Sequence, residues 1–571
     1  MTRARLGALL ALPLFLVIML PVGAAATRNP TLFVPRAFVI RVPDVSFEEL
    51  LSVPQVHALA ASGGAALMSV QGARWTKAPV DCGGGLIPGK GATAFRWVCP
   101  SDGDLAAIGP RIRDIVSGTG ADEVLVVVTS PSSSAGMRAE NDELHPIVIA
   151  TGSPTEVFRA RGSAGSLTSD STRRGGVVTD GDLIPTIADF LGVDPPADSV
   201  GSPIEVVEGP PPFELHDRYL AQRRMYVPIG TAGALYVTLM GLLAIAGVWL
   251  GNATAWRLRR VVGWGSLSVA ALASGLLAAG HLPELSYATV VPFVALVTVF
   301  GTLAFAPLEQ RDVLLVPAGI GVAVLAFFAI EAVLGWTAAL TPFVGGSELD
   351  GGRFYGLPNV FVGLLIGSSL WVAQRLRTSV GFALIVAVGL FAGMPFAGAN
   401  LGGSVSLFAA AGLWLAVRER ERLGVWKGIG AVVGVTVLGT AVVLVGHAIS
   451  PIETHVTRFE GQVGLAGAFE RFGDRLRVGL DLVARNPFAL VPVIGLPVAI
   501  AAVLRPPGGL RAVLERDPAW RDAILVTLLA GVVAYVANDS GPAAAGFAFG
   551  LGLGGLLGVS LLSGARKIGE P

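Results

Sequence analysis

Two cysteines, Cys82 and Cys99, are all that 571 residues contain, so neither a four-thiolate zinc site nor a Cys-x-x-Cys redox pair can be assembled from this chain. Charge is equally scarce. Asp, Glu, Lys and Arg make up 14% of the residues, where a soluble domain carries roughly a quarter. The 41 basic and 41 acidic side chains cancel, and without a basic excess nothing points to a nucleic-acid partner. No nucleotide-binding motif, metal-ligand spacing or internal repeat stands out, so no cofactor is expected.

What is abundant is apolar sequence. Hydrophobic residues form 53% of the chain and the mean hydropathy is +0.67, which places it among polytopic membrane proteins. Residues 1–27 open with Arg3 and Arg5 and continue as an apolar run from Leu6 to about Ala26. The length of that run argues for a retained signal anchor, and its Gly-Ala-Ala-Ala end argues for a cleaved signal peptide. In both cases the basic start stays in the cytoplasm and the following segment is exported.

Residues 28–227 alone have soluble character. Phe38–Val42, Val124–Val128 and Ile147–Ala150 read as strands, and Val45–Ala61 and Leu105–Ser117 as helices, so an extracytoplasmic α/β domain is expected. Cys82 and Cys99 flank a Gly-rich loop in it. An oxidising compartment with no third thiol predicts a disulfide between them.

From 228 to 571 the chain is a series of apolar runs near 228–250, 262–281, 286–306, 313–335, 359–374, 379–396, 404–417, 429–449, 488–504, 522–537 and 542–562, giving about twelve spans with the N-terminal segment. The basic connectors at 257–260, 375–377, 418–427, 505–521 and 566–567 all fall on one side, as the positive-inside rule demands of a multi-pass protein of the cytoplasmic membrane. The connectors on the opposite side hold the polar residues that look selected. The loop Leu349–Asn359 carries Asp350, Arg353 and Tyr355, the next such loop carries Asn400, and the long segment 450–487 carries Glu453, His455 and Arg458. Asn538 and Asp539 follow in the last of them. Glu331, near the outer end of its run, is an intramembrane acid with either a functional or a structural hydrogen-bonding role.

Two resemblances rest on specific stretches. Val177–Val193, with Asp182, Pro185, Thr186 and Gly192, followed by Gly201, resembles the C-terminal "D-x-x-P-T" element of the alkaline phosphatase and sulfatase superfamily, and Pro54–Met68 resembles that superfamily's helix after the first strand. The resemblance implies an alkaline-phosphatase-like fold. Where its metalloenzymes place an Asp-His pair this chain has Ser130-Pro131, which implies a degenerate, metal-free pseudoenzyme. His145 reads as a surface or strand-edge residue.

The membrane part resembles the O-antigen ligase and polymerase group in its span number, its large outer loop and the element Arg353-Phe354-Tyr355-Gly356-Leu357-Pro358-Asn359. That resemblance implies outer-face transfer or polymerisation of a lipid-linked glycan. Arg353 and Arg458 would hold the diphosphate, His455, Glu453 or Asp350 would act on the acceptor hydroxyl, and Tyr355, Asn400, Asn538 and Asp539 would line the same cavity. Arginine forks suit phosphate oxygens, and a carboxylate or imidazole suits proton removal from a sugar hydroxyl. The alternatives are a transporter or flippase of envelope precursors, and a non-catalytic assembly or sensing protein. The partners expected are membrane lipid, a lipid-linked glycan and other envelope proteins.

Overall fold

A computed structural model describes residues 35–70, 95–98, 105–118, 121, 123–140, 142–154, 156–158, 165–196, 199, 201–209, 212–250, 256–345, 347, 349, 354–450, 496–497, 499–501, 503–506, 508–538 and 541–569. The soluble part is built on a mixed eight-stranded sheet. Its strands are β1 (Pro35–Arg41), β2 (Gly64–Ser69), β3 (Phe95–Val98), β4 (Glu123–Thr129), β5 (Leu144–Gly152), β6 (Gly165–Ser169), β7 (Val177–Thr179) and β8 (Ile204–Val207). They pair in the order β3-β1-β4-β5-β2-β6-β8, with β7 also on β2.

Alternation along the strands divides the core into two layers. Phe38, Ile40, Val124, Val126 and Val128 face one side, while Ala37, Val39, Leu125 and Val127 face the other. Helices Phe47–Leu51, Pro54–Ser62 and Leu105–Ser117 lie on the first side and Leu183–Leu191 on the second. With both faces covered, β1 and β4 are near-continuous apolar runs, as strands buried on both sides should be.

The structure corrects the sequence reading at two places here. The helix expected over Val45–Ala61 is broken at Ser52–Val53, because Pro54 takes the first turn of a second helix, where its missing N–H costs nothing. The helix expected to reach Met68 stops at Ser62. Gly63 turns the chain straight into β2, in a position where a Cβ would lie 2.1 Å from the Ile149 carbonyl oxygen.

The other part is a helical bundle with the signature of a membrane solvent. Among the described residues seven helices are long and apolar enough to cross a membrane: Phe213–Trp249, Tyr287–Arg311, Leu315–Val333, Leu401–Arg418, Arg420–Ile449, Pro518–Ala537 and Gly541–Gly564. The pair Trp256–Leu267 and Val269–His281, bent by 45°, makes an eighth if it is one span. Outward faces of these helices are apolar. Leu239, Leu242, Val299, Phe300, Val433 and Leu438 are all exposed, a surface that water would not tolerate and acyl chains would.

The runs expected at 359–374 and 379–396 form the apolar helices Asn359–Ala373, whose first turn is 3-10, and Thr378–Gly393, both shorter than the roughly 20 residues that span a hydrocarbon core. The segment 1–27, most of 488–504 and the cysteines lie outside the described residues. So does the expected bond between Cys82 and Cys99.

Helix Phe213–Leu250 carries the chain from the sheet to the bundle without a break at the expected boundary of 227. Its first turns grip the connection before β5. His216 Nε2 meets Asp142 Oδ2 at 2.8 Å with both side chains buried, Arg223 reaches Glu143 at 3.0 Å, and Arg224 reaches Glu140 at 2.6 Å.

Candidate functional site at the junction of sheet and bundle

The two parts meet at Leu349 and Phe354, on the connector before helix Asn359–Ala373. Leu349 and Phe354 are fully buried in the same apolar cluster as Val45, Phe47, Leu50 and Val177 of the sheet domain. Burying a side chain the size of Phe354 contributes about 1.5–3 kcal/mol, so Leu349 and Phe354 anchor their connector to the soluble part. Just beyond Phe354, Gly356 adopts φ +86° and packs so closely that a Cβ would lie 2.3 Å from the Gly398 carbonyl oxygen. Leu357 N–H donates to that oxygen at 2.7 Å.

Two arginines from the β6–β7 turn complete the junction. Arg173 sits in the left-handed region at φ +53° and lays its guanidinium 3.8 Å from the centre of the Tyr355 ring, while its Nη1 donates to the Pro395 carbonyl at 3.4 Å. Arg174 donates from Nε to the Phe354 carbonyl at 2.9 Å and from Nη2 to the Trp336 carbonyl at 3.3 Å. Trp336 in turn donates from Nε1 to the Ala397 carbonyl at 2.9 Å. Two connectors of the bundle, the one that runs from Trp336 to Tyr355 and the one with Pro395, are therefore tied to one turn of the sheet domain. An Arg over a Tyr face contributes about 0.5–1 kcal/mol when exposed and more as water is excluded.

A buried acid lies at the edge of this junction. Glu331 is 1% exposed and binds His281 Nε2, and its other oxygen accepts the Ala338 N–H at 3.3 Å. His281 Nδ1 stands 3.5 Å from Thr337 Oγ1, at the limit of a hydrogen bond. Arg218 holds the backbone beneath the imidazole, donating to the carbonyls of Gly280 at 2.6 Å, Leu282 at 2.6 Å and Pro283 at 3.0 Å. A carboxylate taken out of water needs such partners, which makes Glu331 a satisfied group.

Of the residues expected to act on or bind the lipid-linked glycan, Tyr355, Asn400 and Asn538 fall among the described ones. Tyr355 is at the junction. Asn400 is fully buried, caps helix Leu401–Arg418 by accepting the Gly403 N–H at 2.8 Å, and donates to the Leu357 carbonyl and to Asn359 Oδ1, each at 2.9 Å. Asn538 is buried too, donating to the Ala534 carbonyl at 2.9 Å and to Ser406 Oγ at 3.3 Å. Both side chains are buried and donate from Nδ2 to helix-end groups, while Asn538 Oδ1 is buried with no hydrogen-bond partner among the described residues. Asp350, Arg353, Glu453, His455, Arg458 and Asp539 lie outside the described residues.

Arg173, Arg174 and His281 were not singled out in the sequence. The signal for the first two was the run Arg173-Arg174-Gly175-Gly176, a pair of charges before two glycines in a domain with few basic residues on strand connections. For His281 it was a histidine at the end of an apolar run facing the level of Glu331.

The place in the sheet domain where the phosphatase resemblance puts metal ligands is stitched by serines. Ser132 Oγ accepts the Asp44 N–H at 3.0 Å and Ser130 Oγ accepts the Val45 N–H at 3.1 Å, joining the ends of β1 and β4. Asp182 is buried and takes donors on both oxygens, from Ser169, Ser171 and the Thr179 and Ser202 backbone, so the "D-x-x-P-T" element acts as a bracket for the β7 turn. His145 is buried on β5 and not at the surface, because β5 is an interior strand between β4 and β2. Burial pushes its imidazole below the ordinary range, against the opposing pull of Asp142 and the Ser130 backbone.

Comparison with family models, with curated proteins and with solved structures finds no match.

Proposed function

We propose that the protein works in cell-envelope glycan assembly, transferring or polymerising a lipid-linked glycan at the outer face of the cytoplasmic membrane beneath a pseudo-phosphatase domain. The observation that supports this reading is the tie between the β6–β7 turn and the connector of Tyr355, which brings Arg173, Arg174 and Tyr355 together at the end of the bundle that this reading takes as outer. Arg353, Glu453, His455 and Arg458 belong to the outer connectors by sequence. In this reading Arg353 and Arg458 hold the diphosphate through bidentate bonds, His455 with Glu453 or Asp350 removes the acceptor proton, and the sheet domain roofs the site without chemistry of its own.

A second reading has its own support. Arg173 and Arg174 spend donors on backbone carbonyls, as structural arginines do, which favours an assembly or sensing protein whose sheet domain is a fixed platform. Arg353→Lys separates the two. It keeps the charge and loses the fork, so transfer should fall at least tenfold, read as accumulated lipid-linked glycan in cells with normal amounts of inserted protein. If Arg353→Lys and Arg353→Ala both leave envelope glycan at the wild-type level, the transferase reading fails and the platform reading stands.

A further inference from the structure

The end of the bundle far from the sheet domain gathers positive charge around one buried acid. Asp522, in the first turns of helix Pro518–Ala537, has a side chain 3% exposed. It is approached by Arg418 Nη1 at 3.3 Å, Arg420 Nη1 at 3.3 Å and Arg521 Nη2 at 3.5 Å. Three guanidinium groups on one carboxylate leave two positive charges uncancelled. All three distances exceed the 2.7–2.9 Å of a tight charge-assisted bond, so Asp522 holds the arginines together without saturating their donors. Arg418 is steadied from behind by the Trp414 ring at 5.5 Å. Arg420 is half exposed, and its only other described acceptor is the Val417 carbonyl.

The surroundings say what kind of anion fits. Arg420 opens helix Arg420–Ile449, which turns at Gly424 and then presents Val425, Trp426, Ile429 and Val433 outward, Trp426 being 84% exposed. An exposed tryptophan followed by an apolar face marks the level where headgroups give way to acyl chains. A soluble anion would gain from the arginines alone. A lipid phosphate gains from the arginines and lays its chains along Ile429 and Val433.

We infer that Asp522 assembles Arg418, Arg420 and Arg521 into a binding site for the phosphate of an anionic phospholipid, whose chains run along the outward face of helix Arg420–Ile449. The inference does not depend on the function proposed above.

The test uses the full-length protein in nanodiscs containing phosphatidylglycerol and phosphatidylcholine in equal amounts, with retained lipids counted by native mass spectrometry. Basic residues near an anionic surface each favour binding by about fivefold, so wild type should retain phosphatidylglycerol over phosphatidylcholine by roughly that factor or more. The double variant Arg420→Gln, Arg521→Gln should lose most of this preference. Arg422→Gln removes a charge two residues from Arg420 that pairs with Glu419 instead, and should keep it. Equal retention of the two lipids by wild type would overturn the inference. So would an equal loss in Arg422→Gln, which would mean diffuse charge in place of a site, or displacement of the lipid by millimolar inorganic phosphate, which would mean a site for a soluble anion.

Discussion

Arg174 shows how much of the junction rests on the shape of one side chain. Its Nε and Nη2 reach two carbonyls near opposite ends of one long connector, a geometry that suits the planar guanidinium. Hydrogen bonds to a charged donor are each worth about 1.5–3 kcal/mol, so Arg174→Ala should lower the thermal unfolding temperature of the purified protein measurably. Arg174→Lys should recover little of the loss. A lysine variant as stable as wild type would show that charge alone matters there. His145 gives a pH dependence. Its folded pKa lies below the unfolded value of about 6.5, so the stability tied to the neutral imidazole is present above that pH and is lost as the pH falls through the folded pKa. Wild type should therefore lose thermal stability between pH 7.5 and pH 5 by more than His145→Gln does, in melts of the whole protein; parallel losses would remove His145 as the cause.

At the scale of elements, the long helix Phe213–Leu250 is the part most open to dissection. Its three contacts with the Glu140–Glu143 segment differ in burial, and burial sets their value. Asp142→Ala would leave buried His216 with only Glu48, 3.6 Å from its Nδ1, a loss of up to about 3–5 kcal/mol, whereas Arg224→Ala removes an exposed pair worth about 0–1 kcal/mol. Proteolysis of the sheet domain in membranes should accelerate strongly in the first variant and hardly in the second; similar rates in both would mean that the helix is held elsewhere. The strands β1, β4 and β5, helix Leu105–Ser117 and most of the apolar helices were legible in the sequence, because long apolar runs have few other places to go. β2 was not. Its Ala-rich start continues a helical pattern, and only the close approach of Gly63 to β5 decides the turn. The short strands β6, β7 and β8 carry too few residues for a period to show.

The whole molecule is organised by a contact that neither part announces alone. The loop with Tyr355 was legible as unusual from its composition, yet its partners Arg173 and Arg174 lie some 180 residues earlier in the chain, and nothing local links them. The same limit hid the local role of Asn400 and Asn538, whose side chains bond to groups at helix ends. The account stands on that long-range tie between sheet domain and bundle, and a photo-crosslink measures it most directly. With p-benzoylphenylalanine in place of Tyr355 in the otherwise native protein, irradiation of intact membranes should yield an internal adduct mapping to residues 169–177, the β6–β7 turn around Arg173. Adducts confined to lipid or to other proteins, with none in that turn, would contradict the account.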